Sequence, residues 1–398
     1  MRVFKDSGIE WLGEIPEHWE VVKIKHIFNI GRGRVISQEE LDENGNFPVY
    51  SSQTTNNGIL GYIKTYDFDC EQITWTTDGV NAGTIFLRNG KYNCTNVCGI
   101  LKPRNNENMS FLTYALQNVA PCYKRPDTNG AKIMNNEMAN IQIVYPPLKE
   151  QEQIANFLDE KCEQIANFIE KKEKLISLLK EQKQVLINET ITKGLDKNVN
   201  FKDSGIEWLG EIPQHWNILK LKHIASLRNQ KSNNIDFRIG LENIESKTGK
   251  FIPSSEVVFE EDGIGFKKGD ILFGKLRPYL AKVFLTDRDG ICVSEFLVLK
   301  IKSESNKFIK FLMLSSLFID IVDSSTYGTK MPRANWEFIG NLKIPLPPLK
   351  EQEQIAQFLD SEISKIDQII EKTKKQIELI KEYKTTLINQ AVCGRIDL

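Results

Sequence analysis

The pattern of apolar and polar residues is most regular in two segments that contain neither proline nor glycine, Lys149 to Lys193 and Lys350 to Cys393. Each segment follows a Pro-Pro pair and is closed by a glycine, and these residues mark the starts and ends of helices. Apolar residues recur in both segments at intervals of three, four and seven, which is the heptad pattern of a coiled coil. The pattern predicts two long helices, each roughly 65 to 70 Å in length at about 1.5 Å per residue.

The apolar seam runs through equivalent positions of the two segments. In the first segment its members are Leu158, Cys162, Ile165, Ile169, Ile176, Leu179 and Leu186. In the second segment they are Leu359, Ile363, Ile366, Ile370, Ile377, Ile380 and Leu387. The seam is interrupted at Lys172, Lys183, Thr373 and Lys384. A single helix of this length cannot bury its own stripe, so we expect the two helices to pack together within one chain. The alternative is two unrelated amphipathic helices, each packed on its own domain.

Two repeats indicate that the chain is a duplication. Residues 146–159, PPLKEQEQIANFLD, return at residues 347–360 with 13 of 14 positions identical. Residues 4–27 return at residues 201–224 with 19 of 24 positions identical. Each copy therefore consists of an N-terminal segment, a variable part and a long helix. Where the copies agree, we expect them to meet the same kind of surface, and where they differ, to meet different ligands.

The variable parts, residues 28–145 and 225–345, contain short β-rich stretches separated by turn residues. Examples are Thr84 to Arg88 in the first part and Ile291 to Ile301 in the second. Each part is also predicted to contain one helix, near Phe111 to Val119 and Phe308 to Val322. The predicted fold class is α+β, with two mixed domains of about 120 residues and two long helices.

The bulk composition is that of an ordinary soluble protein with two or three domains. The chain has 398 residues and a formal net charge of -1, which excludes a uniformly basic nucleic-acid binder but permits local basic patches. No apolar run approaches the roughly 18 residues of a membrane span, and the N-terminus lacks the apolar region of a secretory signal. We therefore expect no membrane and a cytoplasmic location. Seven cysteines without a Cys-x-x-Cys pair favour buried thiols.

The sequence offers no constellation of catalytic or metal-binding residues, and we predict a protein without enzymatic activity, cofactor or metal of its own. The four histidines, at positions 18, 26, 215 and 223, lie in the N-terminal repeat without nearby cysteine or carboxylate partners and are expected to be structural. The string Tyr145 to Leu148, YPPL, lacks the leading amide or carboxylate of a methyltransferase motif. No phosphate-binding loop of the GxxxxGK(S/T) type occurs.

These features resemble the specificity subunits of type I restriction-modification systems over the whole chain. The resemblance is carried by the two PPLKEQEQIA helix starts, the duplicated GEIP-x-HW segments, GDIL and KLRPYL within residues 269–280, and TYGTKMPR at residues 326–333. The first copy lacks a counterpart to KLRPYL. The resemblance implies two target-recognition domains separated by two long antiparallel helices that form a coiled coil, in a pseudo-two-fold internal repeat.

The resemblance also implies domain limits and partners. Residues 1–147 and 195–348 would be the target-recognition domains, and residues 148–194 and 349–398 the spacer helices. Each domain would read one half of a split sequence in double-stranded DNA, while the helices set the spacing between half-sites and dock two methyltransferase subunits. The methyltransferase would use S-adenosylmethionine, and adenine methylation and cleavage would belong to the complex. Whether two restriction subunits also join remains open at this point.

Loops rich in Arg, Lys, Asn and Gln supply donors for phosphates and base edges. The candidate DNA-binding residues of the first domain are Arg32, Arg34, Gln53, Thr54, Asn56, Lys132 and Asn135. Those of the second domain are Arg228, Gln230, Lys231, Lys275, Arg277, Tyr279, Lys330, Arg333 and Asn335. For each residue taken singly the alternative is a solvated surface position. For the chain, the alternatives are a coiled-coil scaffold whose variable domains bind proteins, and a self-sufficient nuclease or methylase.

Overall fold

The computed structural model describes residues 3–10, 12–128, 130–232, 237–253, 263–326 and 331–398. The chain forms two compact units, one of residues 1–172 with 375–398 and the other of residues 173–374. Each unit contains one of the two variable parts together with portions of both long helices.

The first unit is rich in short strands. They are Phe4–Asp6 (β1), Glu14–Pro16 (β2), Glu20–Lys23 (β3), Phe28–Arg32 (β4), Phe47–Tyr50 (β5), Ile59–Ile63 (β6), Phe68–Asp69 (β7), Gln72–Thr76 (β8), Asp78–Gly79 (β9), Ile85–Arg88 (β10), Lys91–Cys94 (β11), Cys98–Pro103 (β12), Arg125–Asp127 (β13), Gly130–Lys132 (β14) and Gln142–Tyr145 (β15). Its helices are Ile24–Ile27 (α1), Met109–Val119 (α2) and Asn135–Asn140 (α3). The long helix Leu148–Lys193 (α4) starts in this unit and ends in the second.

The second unit repeats this composition. Its strands are Phe201–Asp203 (β16), Glu211–Pro213 (β17), Asn217–Lys220 (β18), Ala225–Arg228 (β19), Lys231–Ser232 (β20), Arg238–Ile239 (β21), Gly263–Phe266 (β22), Ile271–Gly274 (β23), Val283–Leu285 (β24), Gly290–Cys292 (β25), Phe296–Ile301 (β26) and Lys343–Leu346 (β27). Its helices are Leu221–Ile224 (α5), Asn306–Leu314 (α6), Ser316–Ser324 (α7) and Trp336–Asn341 (α8). The long helix Leu349–Val392 (α9) starts here and ends in the first unit.

The two variable parts share one sheet framework, although their sequences are hard to align. The first unit has a sheet in the order β10-β8-β12-β4, and the second has the matching order β24-β23-β26-β19, both with antiparallel neighbours. A further sheet in each unit contains a parallel pair, β5 with β11 in the first and β21 with β25 in the second. The duplication therefore extends through the parts whose sequences have diverged.

Most predicted elements of the variable parts are present, with two corrections. The helix predicted near Phe111 to Val119 is confirmed as α2. The single helix predicted over Phe308 to Val322 is wrong in one respect, because the chain breaks at Ser315 into α6 and α7. The Ser315 hydroxyl accepts a hydrogen bond from the Phe318 amide nitrogen (3.2 Å) and caps the first turn of α7. The stretch Ile291 to Ile301 similarly forms two strands, β25 and β26.

The long helices pack against each other within each unit, as the seam predicts. In the first unit Leu158 of α4 shares a buried cluster with Leu387 of α9. In the second unit Ile187 of α4 shares one with Leu359 of α9. Early residues of one helix thus meet late residues of the other, so the packing is antiparallel. Every predicted seam position is buried or half-buried, which confirms the heptad interpretation.

A glutamate in the helix-start repeat binds the His-Trp pair of the N-terminal repeat. In the first unit, His18 Nε2 lies 2.7 Å from Glu150 Oε1, and Trp19 Nε1 donates to Glu150 Oε2 at 3.0 Å. Trp19 is fully buried, so its indole N–H needs this acceptor. The carboxylate partner of His18 lies 132 positions along the chain, which corrects the expectation that the histidine has none.

The second copy forms the same clasp around Glu351. Its carboxylate oxygens lie 2.8 Å from His215 Nε2 and 3.1 Å from Trp216 Nε1. Gly194, which ends α4, has a φ of +73°, and a Cβ there would lie 3.2 Å from the Trp216 ring. A glycine is therefore needed where the helix ends against the clasp. The two repeats are thus hydrogen-bonded to each other in both copies, and the clasp histidines have a structural role.

A buried ion pair explains one interruption of the apolar seam. Lys183 of α4 donates to Asp367 Oδ1 of α9 at 2.9 Å, and the two side chains are only 10% and 17% exposed. Lys250, from the domain of the same unit, reaches the other oxygen, Oδ2, at 2.8 Å. A single charged pair inside an apolar seam has one register in which both charges are satisfied. It fixes the register of the helices and ties them to the domain.

Replacing the carboxylate by an amide, Asp367→Asn, should lower the free energy of unfolding by about 2 kcal/mol at neutral pH, because two lysines lose their counter-ion. Burial raises the pKa of Asp367, but hydrogen bonds from Lys250 and Lys183 outweigh it and hold the pKa below its usual value. The stabilisation is therefore complete above the unfolded-state pKa of roughly 3.9 and is lost as the pH falls through the lower folded-state pKa.

Urea unfolding of both proteins at neutral and acidic pH measures this difference. The matched control is Asp360→Asn on the same helix, since Asp360 pairs with Lys307 (2.6 Å) through side chains that are 40% and 57% exposed. An exposed pair contributes about 0 to 1 kcal/mol. Equal losses in the two variants would contradict the role given to Asp367.

Candidate nucleic-acid interface

Three predicted residues of the first domain meet around Thr77. Arg32, at the end of β4, is exposed and donates from Nη2 to the Thr77 hydroxyl at 3.3 Å. Lys132 lies in β14, which pairs with β9 directly after Thr77. Asn135 begins α3, donates to the Gly31 carbonyl at 3.2 Å, and has an Oδ1 atom that is buried without a hydrogen-bond partner in the described part of the chain. The structure thus gathers an arginine with a lysine and an amide that lie about 100 positions further along the sequence.

Two of the predicted cations of this domain already have carboxylate partners. Arg34 binds Glu40 at 2.7 Å and Asp67 at 3.0 Å, and the hydrogen bond with Glu40 contributes most to raising the pKa of Arg34. Lys132 binds Asp127 at 2.9 Å. These pairs are partly exposed and therefore weak, so a phosphate could replace the carboxylates at small cost. Arg32 forms no ion pair with any described residue, so a phosphate bound to it would displace no carboxylate.

The predicted stretch from Gln53 to Asn56 forms a tight turn. Thr54, Asn56 and Asn57 are exposed, and the two asparagines have left-handed backbone angles, with φ of 49° and 51°. Asparagine tolerates this conformation better than most residues, but a side chain there still carries strain. The Gln53 side-chain amide donates to the Ile59 carbonyl across the turn. Gln53 therefore braces the turn, while Thr54 and Asn56 remain open to a ligand.

A buried arginine that the sequence analysis missed holds this turn in place. Arg88, at the end of β10, is only 3% exposed and donates from Nη1 to the Asn57 carbonyl at 2.9 Å. Its Nε donates to the Thr74 hydroxyl at 3.3 Å, and its guanidinium carbon lies 3.6 Å from the Tyr50 ring centroid and 4.2 Å from that of Phe86. Burial lowers the pKa of Arg88 below its usual value. The feature of the sequence that could have pointed to Arg88 is its position as a single cationic residue at the end of an apolar strand.

In the second domain, two of the three predicted clusters form one connected group. Two backbone hydrogen bonds, of 2.9 and 2.8 Å, join residues 275–277 to residues 332–334. Tyr279 is 45% exposed next to this junction, and Arg277 has a left-handed φ of 51°. Asn335 uses its side-chain oxygen to cap α8, accepting from the Phe338 amide at 2.8 Å. Tyr279 and Arg277 are therefore available to a ligand, whereas the oxygen of Asn335 is already engaged.

Glu295 organises this group and was also missed. Its carbonyl accepts from the Lys275 amide at 2.9 Å, and its Oε1 binds Arg333 Nη2 at 2.8 Å. Its Oε2 is buried without a hydrogen-bond partner among the residues described. Lys330, the remaining predicted residue of this group, lies outside the described residues.

The third predicted cluster of the second domain divides into a structural and an exposed part. Arg228, at the end of β19, forms two hydrogen bonds to the Asp270 carboxylate, of 2.8 and 3.4 Å, and Asp270 is almost fully buried. Gln230 is exposed and its carbonyl accepts from the Gly265 amide at 2.9 Å. Lys231 is exposed in β20. Arg228 therefore stabilises the sheet edge that presents Gln230 and Lys231.

Other chemistry is sparse. In the described ranges, no group of three or more His, Cys, Asp or Glu side chains could hold a metal ion. None of the helices in those ranges is long and apolar enough to cross a membrane. The expectation of buried thiols holds for four cysteines and is wrong for Cys122, which is exposed on a short 3-10 turn, while two others are half-buried. The buried thiols are Cys94, Cys98, Cys292 and Cys393.

The duplicated geometry has a counterpart among known families. The profile of the family described as "Type I restriction modification DNA specificity domain" matches residues 16–186 and 213–379, one match for each copy. The chain belongs to this family. It is a type I specificity subunit, and its function is DNA sequence recognition.

Two curated relatives illustrate the similarity. The MjaVIII specificity subunit of Methanocaldococcus jannaschii is 29% identical, over 100% of this chain and 97% of its own length. The MpnII specificity subunit of Mycoplasma pneumoniae is 44% identical over 142 residues, which are 35% of this chain and 43% of that relative. The match to the Mycoplasma protein therefore covers less than half of that protein's length.

Solved structures show the same fold. A chain from a structural study of assembly and conformational transition of a type I restriction-modification system superposes with a TM-score of 0.73 at 13% identity, covering 96% of this chain and 99% of that one. The HsdS subunit of Thermoanaerobacter tengcongensis superposes with a TM-score of 0.55 at 15% identity, covering 96% and 98%.

The variant Arg88→Met should keep the fold but loosen the turn at residues 54–58. It leaves the Asn57 carbonyl without its donor and removes the cation from the Tyr50 and Phe86 rings, so we expect local opening to become easier by about 1 to 3 kcal/mol. Hydrogen exchange of the Ser51 amide, which donates to the Gly58 carbonyl at 2.9 Å, should accelerate by about tenfold or more. In the control Arg34→Met, exchange of Ser51 should stay unchanged; equal acceleration in both would refute the role of Arg88.

Proposed function

We propose that this specificity subunit reads a bipartite DNA target, with one half-site assigned to each variable domain, and that it has no catalytic activity. The observation that carries the proposal is that the two domains share one sheet framework but expose different polar side chains. Arg32 and the 54–57 turn occupy one domain, and Arg277 and Tyr279 the other. Because the two sheet frameworks are alike, we expect both domains to approach DNA in the same way. Because their exposed side chains differ, we expect them to read different half-sites.

The exposed groups suit both kinds of DNA contact. Arginine can bind guanine through two hydrogen bonds, and asparagine or glutamine can do the same with adenine. Arg32, Arg277 and Arg333 would supply the first kind of contact or bind phosphates, and Asn56 and Gln230 the second. Tyr279 offers an exposed ring in the same domain as Arg277. The assignment of residues 1–147 and 195–348 as recognition domains, with 148–194 and 349–398 as spacers, is part of the proposal.

The helices would set the spacing between half-sites and dock two methyltransferase subunits. Besides the buried seam, each helix carries a second, exposed stripe of apolar residues, which includes Leu175, Leu178 and Val185 in α4 and Leu379 and Tyr383 in α9. Exposed apolar side chains at heptad spacing favour a helical or groove-like partner surface. The methyltransferase would bring S-adenosylmethionine, and restriction subunits would join the same complex through it.

Binding to DNA should be sequence-specific and split between domains. Assembled with its methyltransferase, the subunit should bind a duplex with its methylated motif more tightly than a scrambled duplex, and affinity should fall steeply with salt. Arg333→Ala should weaken binding by about 1 to 3 kcal/mol and relax only one half-site, whereas Arg32→Ala should relax only the other. The control Lys343→Ala removes an exposed lysine outside both groups. Equal affinity for both duplexes would count against the proposal.

Spacer length should follow helix length. Inserting seven residues at equivalent places in both helices adds about 10 Å, which corresponds to about three base pairs at roughly 3.4 Å each. Genome-wide methylation mapping should then show the same two half-sites with a longer unread gap. An insertion of seven keeps the heptad phase, so the seam can still pack. Altered half-sites with an unchanged gap would contradict the proposal.

A further inference from the structure

A cleft of about 600 Å³ in the second unit lies between the variable domain and the long helices. Ile187 of α4 and Phe311 of α6 contribute apolar side chains to its lining. Lysines 183, 247, 250, 310 and 372 also line it. We call it the lysine cleft.

The charges in the lysine cleft do not balance. Its three carboxylates already have cationic partners, and the pairs are Asp360 with Lys307 (2.6 Å), Asp367 with Lys183 (2.9 Å) and Lys250 (2.8 Å), and Glu371 with Lys374 (2.7 Å). Lys247, Lys310 and Lys372 form no ion pair with any described residue. Among the described residues, three ammonium groups of the cleft thus have no counter-ion.

The backbone is shaped to bring these lysines together. Gly249 has a φ of +65°, and a Cβ there would lie 2.3 Å from the Val283 carbonyl oxygen and 3.2 Å from Lys310 Cε. A side chain at this position would push the turn away from Lys310. Lys247, two residues earlier, also adopts a left-handed φ of 64°. This turn places Lys247 and Lys250 in the same cleft as Lys310, and Lys247 adopts a backbone conformation that is strained for a residue with a side chain.

The surroundings of Lys310 lower the pKa of its ammonium group. Burial is the main cause that lowers its pKa, the ammonium groups of Lys183, Lys307 and Lys250 lower it further, and Asp360 opposes them. The Lys310 Nζ atom also lies 5.5 Å from the centroid of the Phe311 ring. An anion in the cleft would offset the repulsion and raise the pKa of Lys310 again.

We propose that the lysine cleft binds a phosphate-bearing ligand with at least two negative charges. Ammonium groups, together with the Ser364 hydroxyl and the Gln368 amide in the lining, are the donors that phosphate oxygens accept. The phosphate comes either from a free oligophosphate or from the DNA backbone. The second source is geometrically open because Lys247 and Lys250 also line an adjoining cleft of about 570 Å³ with Tyr279, a proposed DNA-contacting residue.

The site belongs to the second copy. Counted from the capping residues Asn108 and Ser305, Thr113 stands in the first copy where Lys310 stands in the second. The Thr113 hydroxyl donates to the Met109 carbonyl at 2.7 Å and is buried. The offset of 201 between the helix repeats likewise places Ala166 opposite Asp367. The ligand would therefore distinguish two otherwise similar halves.

Calorimetric titration of the full chain with sodium pyrophosphate at low salt tests the proposal. We expect saturable binding that weakens at least tenfold in Lys310→Met, a substitution of similar length that removes a poorly solvated charge. Because Lys310→Met could alter packing, the exposed pair Lys247→Met with Lys372→Met is the second variant and should show the same loss. The matched control for charge, Lys222→Met with Lys343→Met, should bind as the wild type does.

Proton uptake provides a readout that nonspecific ion binding would not give. Titration at alkaline pH in two buffers of different ionisation enthalpy should show more proton uptake in the wild type than in Lys310→Met, because the bound anion raises the lowered pKa of Lys310. A parallel titration with duplex DNA separates the two sources. If only DNA binding depends on the cleft lysines, the phosphate is that of the backbone; if neither pyrophosphate nor DNA binding differs between the cleft variants and the control, the proposal is wrong. The pyrophosphate titration does not depend on sequence reading by the domains.

Discussion

Burial of the apolar seam between α4 and α9 is the interaction on which the rest of the structure depends. Neither helix could keep its stripe away from water alone, and in each unit the stripe is covered jointly by the other helix and by the domain. The Lys183–Asp367 pair then selects one register among those that apolar packing alone would allow. Burial of nonpolar area stabilises the packed helices, and the Lys183–Asp367 pair makes one register of the two helices more favourable than the others.

The clasps connect the seam to the domains. A carboxylate in the first turn of each long helix uses both oxygens, one on a histidine and one on a buried indole. The start of each helix is thereby anchored to the segment that opens the same copy. This explains why these two stretches, far apart in sequence, resist divergence while the sheets between them changed their side chains.

Much of this architecture could be predicted from periodicity and repetition, because a heptad seam and a near-identical repeat are signals spread over many residues. The candidate site was harder to predict from the sequence than the architecture. The sequence predicts loops such as the 53–56 stretch but not the roles of Arg88 and Glu295, because a buried arginine or glutamate that supports a site is defined by partners from distant strands. Arg228 is predicted to contact DNA, but its hydrogen bonds to Asp270 are not predictable from the sequence, since nothing local in the sequence connects residues 42 positions apart.

The split composition of the first unit has a consequence for how the protein is made. Its core includes Leu387 and Cys393, and Arg395 donates to the Leu12 carbonyl at 2.9 Å across 383 positions. During synthesis, residues 1–172 leave the ribosome long before these partners exist, whereas the second unit is one continuous stretch. The second unit can therefore close first, and the domain made earliest completes its core last, with exposed apolar surface in the interval.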